Sequence, residues 1–70
     1  MTTDNEHHKA GELEIQSKMD VVESTLVVLE EQLKKLDSAG LSIASIHIND
    51  AIERLRSDRV HLADAMKRFL

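Results

Sequence analysis

Cysteine and proline are absent from the chain, glycine occurs twice, and Phe69 is its one aromatic residue. Without cysteine, disulfides and thiolate metal sites are excluded. Without further aromatics, there is no stacking platform for single-stranded nucleic acid. No apolar run approaches the roughly 18 residues needed to span a bilayer. Basic excess is also lacking. Nine Lys and Arg stand against 13 Asp and Glu, for a net charge of −4. The balance is −3 over residues 1–17, −2 over 18–40 and +1 over 41–70, so no segment carries the positive surplus that phosphate neutralisation requires. The opening Met-Thr-Thr-Asp-Asn-Glu-His-His has neither the basic nor the apolar region of a secretory signal, which predicts a cytoplasmic protein.

Seventy residues make one domain at most, and a chain of this size buries only about 60% of its unfolded surface. Small folds rely on disulfides, a metal, oligomerisation or unusually regular helix packing. Helix packing and self-association are what remain here.

Residues 1–11 are polar and unpatterned and read as a disordered tail. Beyond them, Ile15, Met19, Val22, Leu26, Leu29, Leu33 and Leu36 recur at alternating spacings of four and three, within an arc of about 100° on a helical wheel. The spacing predicts an amphipathic helix over residues 13–38. Gly40 then suits the C′ position, where the backbone turns left-handed. That places Leu36 at C3 and Leu41 at C″ of a Schellman motif. Ser42 reads as the N-cap of a second helix, with Leu41 and Ile46 as a hydrophobic staple across it. A turn over 39–41 folds the two helices into an antiparallel hairpin.

The second helix is predicted over 42–69, with Leu41, Ala44, Ile48, Ala51, Ile52, Leu55, Leu62, Met66 and Phe69 as its inward stripe. Ile46–Leu55 aligns with Val60–Phe69 at an offset of fourteen, two heptads, so matching residues drift by only about 40° around the helix. This supports one continuous helix. Ser57-Asp58 is the place where it would break, because either residue can cap a new helix and Arg59 falls within the apolar stripe.

A hairpin covers each stripe from one side only. Val21, Val28, Ile43 and Val60 lie outside the stripes and are the candidate interface, since left exposed they would form an apolar patch larger than monomers normally show. The expected assembly is a homodimer forming a four-helix bundle.

Candidate chemistry is sparse. His47-x-x-Asp50 and His61-x-x-Asp64 pair an imidazole with a carboxylate one turn away, a spacing that suits a divalent ion. The two pairs lie about 21 Å apart along one helix, however, and a zinc site needs three or four protein ligands in one place. The simpler reading is intrahelical pairing, with Arg54 and Arg68 reaching Asp50 and Asp64. His7-His8 reads as a solvated pair. No hydroxyl sits in a nucleophile elbow or glycine-rich loop, and two packed helices offer no deep pocket, so neither catalysis nor a cofactor is expected.

Arg54, His61, Lys67 and Arg68 share a flank of the second helix and form an alternative nucleic-acid face, although Asp50, Glu53 and Asp64 interleave them and cancel most of the field. Membrane-surface binding calls for a basic polar face, and the first helix has an acidic one. The residues therefore point to an all-α, non-catalytic protein–protein interaction module or regulator acting as a homodimer. An RNA-binding regulator is the competing class.

Overall fold

The computed structural model of the chain describes residues 2–69, with side chains from residue 10 onward. Two helices, α1 (Thr2–Ser38) and α2 (Ser42–Lys67), pack against each other as a hairpin, and there is no strand among the described residues. The Cα atoms span 59 × 15 × 14 Å, so the molecule is a rod two helices thick.

The turn has the predicted chemistry. Gly40 adopts φ +73°, the one positive φ among the described residues. The Leu41 N–H donates to the Leu36 carbonyl (3.0 Å) and the Gly40 N–H to the Asp37 carbonyl (3.1 Å). These are the 6→1 and 5→2 bonds of a Schellman motif. The entry to α2 differs from expectation. Ser42 is already helical, Leu41 occupies the N-cap, and no side chain caps the helix. Leu41 serves both helix ends through its backbone, its N–H closing α1 and its carbonyl accepting the Ser45 N–H at 3.0 Å. With Leu41 so used there is no residue left between the helices for Ser42 to cap from. The staple does not bury its two members either, because Leu41 and Ile46 both remain exposed.

The start of α1 is a second difference. The helix begins at Thr2, where a disordered tail was expected over 1–11 and a helix only from residue 13. Once the paired segment has nucleated, extension toward the N-terminus needs only propagation. No proline or glycine stands between Thr2 and Ala10 to break a helix. The His7–His8 pair lies outside the described side chains. At 37 residues against 26, α1 outreaches α2. The matched portion starts at Gly11, where an added Cβ would lie 3.1 Å from the Phe69 ring. α2 runs unbroken through Ser57 and Asp58 and ends at Lys67, so Arg68 and Phe69 lie in the closing turn rather than in the helix.

The core is a short seam. Val22, Leu26 and Ile52 are buried, Ile52 to 2% exposure, with Leu29, Leu33, Ile48, Leu55 and Leu62 half-buried around them. Ala44 of the predicted stripe is exposed, and Ser45 takes its place in the seam. From Ile52, Ser45 is seven residues away and Ala44 eight, so Ser45 stays in phase with the seam and Ala44 is rotated off it. Arg59 keeps its stem in the stripe and sends its guanidinium to Glu23 across the helix pair.

Two substitutions test this description. A Cβ at Gly40 would meet no atom within 4 Å, so Gly40→Val should cost about 1–2 kcal/mol through backbone strain alone. Chemical denaturation at fixed protein concentration would read this as a lower midpoint, and an unchanged midpoint would contradict the left-handed turn. The Ser45 hydroxyl is buried without a hydrogen-bond partner, a state that costs on the order of 1–3 kcal/mol. Ser45→Ala should therefore raise stability by about 1 kcal/mol in the same assay, whereas a loss would show that the hydroxyl is satisfied.

Candidate interaction surface

The two flanks of the hairpin are built differently. On one, Glu23 pairs with Arg59 (3.3 Å) and Glu30 with Arg56 (3.4 Å) across the helices, and Arg56 also binds Glu53 at 2.9 Å. These side chains are roughly half exposed, so each pair contributes about 0.2–1 kcal/mol. Their long stems also lie over the edge of the seam.

The opposite flank has no such cover. It holds a groove of about 440 Å³ between α1 and α2, lined by Ser17, Lys18, Val21, Val22, His61 and Leu62 among others. Val21 and Val28, one heptad apart on α1, are 62% and 53% exposed here. On α2, Ala44, Ala51 and Ala65 recur in heptad phase with Asp58 on the same side, leaving the groove wall low.

The four residues predicted as an interface do not form one surface. Val21 and Val28 share the open flank. Val60 follows Arg59 and lies one helical turn from Arg56, which places it toward the ion-paired flank, and Ile43 sits at the turn end. Leu13 and Val27, which fall in neither apolar stripe of the sequence, are also exposed, as are Leu41 and Ile46. Val27 is rotated by about 100° from Val28 and belongs to neither the apolar seam nor the open flank. Leu41 and Ile46 were assigned to the turn's own packing. Together with Ile43 they leave an apolar tip at the end of the rod, beside a shallow depression that includes Ala44 and His47.

The chemistry-bearing residues are dispersed. His47, Asp50, His61 and Asp64 are all exposed. Asp50 accepts from Arg54 Nε at 2.9 Å, as expected. Asp64 pairs with Lys67 at 3.6 Å rather than with Arg68, because the shorter (i, i+3) reach brings the lysine ammonium over the carboxylate. No group of three or more His, Asp or Glu side chains converges among the described residues. The alternative nucleic-acid face, Arg54, His61, Lys67 and Arg68, is exposed, and two of its four members already hold carboxylates. His47 extends it into a row of four at heptad spacing, His47, Arg54, His61 and Arg68, a regularity legible in the repeat at offset fourteen. No helix among the described residues is long and apolar enough to cross a membrane.

No protein-family model, curated protein or solved structure matches this chain.

Proposed function

We propose that the chain is a non-catalytic protein–protein interaction module whose working unit is a homodimer of hairpins. One observation carries this reading. Among the described residues, folding of a single chain buries three apolar side chains, while eight large ones stay 53–77% exposed. Each helix of a two-helix rod is covered along one line only, and a chain of this size has little other apolar surface to bury. A second hairpin laid along the open flank would cover Val21, Val28 and the low alanine wall together. The nucleic-acid reading draws on the exposed face of Arg54, His61, Lys67 and Arg68. The carboxylates of Asp50 and Asp64, already paired with Arg54 and Lys67, weigh against it by neutralising half of the face.

Light scattering or sedimentation equilibrium tests the reading. With a chain mass of 7.9 kDa, the dimer should appear at twice that value, with the helical circular dichroism lost together with the dimer on dilution. A fully helical single-chain species at micromolar concentration would overturn it. Salt-sensitive retention of RNA or duplex DNA in a mobility-shift assay would favour the competing class.

A further inference from the structure

The outward face of α1 between Glu14 and Lys35 reads the same in both directions in chemical terms. At helical spacing this face carries Glu14, Lys18, Val21, Val28, Glu31 and Lys35, all exposed, with Ser24 and Thr25 at its centre. When a second α1 is laid antiparallel about a two-fold axis between residues 24 and 25, residue i meets residue 49 − i of its partner. Glu14 then faces Lys35 and Val21 faces Val28, each contact occurring twice by symmetry, while Lys18 and Glu31 lie toward the two edges of the face. The charges nearest the line of contact, Glu14 and Lys35, meet their opposites, and the valines meet each other at the middle. Parallel pairing in the same register would set Glu14 against Glu14 and Lys18 against Lys18.

We infer that α1 is the dimerisation helix and that the occupant of its outward face is the α1 of a second copy, antiparallel, with the two-fold axis beside Ser24 and Thr25. This assignment rests on the homodimer reading above and gives it an orientation.

The local structure suits close approach at the axis. Ser24 Oγ donates to the carbonyls of Asp20 and Val21 (3.0 and 3.2 Å), so this small side chain is satisfied within its own helix and demands nothing from the facing one. The two valines flank the axis 10.5 Å apart along the helix by the standard rise, that is, about two turns. Lys18 now pairs with Glu14 at 3.5 Å, with both side chains largely exposed. Such a bond is weak enough to exchange for one across the interface.

Because the chain has no cysteine, introduced thiols report the geometry directly. Glu14→Cys and Lys35→Cys variants should each give no covalent dimer when treated alone with a short bifunctional maleimide. Mixed and equilibrated, they should give a linked pair. Linking of Glu14→Cys with itself would overturn the antiparallel arrangement. Absence of the mixed product in a sample that still sediments as a dimer would overturn the face while leaving the dimer reading intact. A monomeric sample would overturn both.

Charge reversal is a second measurement that does not depend on the linker. Lys35→Glu should weaken dimerisation about tenfold by placing two like-charge pairs across the interface. The double variant Glu14→Lys/Lys35→Glu should restore it. If the double variant is as weak as the single one, the proposed pairing is wrong.

Discussion

One left-handed residue determines how everything else in this molecule meets. Gly40 lets the backbone reverse within three residues, and the hydrogen bonds of Gly40 and Leu41 to Asp37 and Leu36 hold that reversal in one geometry. The register of the two helices follows from it. Glu30 finds Arg56, Glu23 finds Arg59, and the Phe69 ring comes to lie against Gly11, an order that requires the chain to double back at residue 40. A β-carbon at that position would face open space yet still strain the backbone, so the constraint is conformational and does not come from packing.

Register alone does not make a deep core, because a rod two helices thick cannot surround any of its side chains. Ile52 comes nearest, seated opposite Val22 and Leu26. Toward either end the seam opens to solvent. The flanks respond in different ways. Arginines and glutamates with long stems cover one edge of the seam, and their charges stay in water where their pairing is weakly stabilising. The other edge has valine, alanine and serine beside Lys18, Asp58 and His61, and no ion pair crosses the helices there among the described residues. A protein that covers one side of its apolar seam and leaves the other bare favours association along the bare side, and the groove beside Val21 and His61 lies there.

The legibility of the sequence follows the strength of the physical signal at each place. The seven-residue stripe of α1 and the glycine at C′ are strong signals, one from periodicity and one from stereochemistry, and the hairpin follows from them. The start of α2 is less legible because serine is a good N-cap in general, and the sequence does not show that Leu41 serves both helix ends through its backbone. Ser45 was passed over as a core residue because hydroxyls are usually exposed, although its phase relative to Ile52 matches the seam and that of Ala44 does not. Gly11 was missed for the opposite reason. It continues the stripe four residues before Ile15 but has no side chain to register in an apolar pattern. The helical character of residues 2–10 depends on propagation from a neighbour, which composition does not report. The interface residues were identifiable one at a time as apolar and out of phase. Their division between the open flank, the ion-paired flank and the tip needed the rotation of each helix about its partner.

The charges on the outward face of α1 act on specificity more than on affinity. Exposed pairs at the rim of an interface contribute little net energy but penalise wrong partners and wrong registers. A slip of one heptad in either direction would bring a valine opposite Lys35 or opposite Glu14, exchanging an apolar contact for a partly desolvated charge. The in-register antiparallel arrangement alone satisfies both the valines and the Glu14–Lys35 pairs. A short helix with two valines and no aromatic anchor has limited affinity to distribute among arrangements. It can still select one of them, because each alternative leaves at least one charge facing a like charge or an apolar side chain.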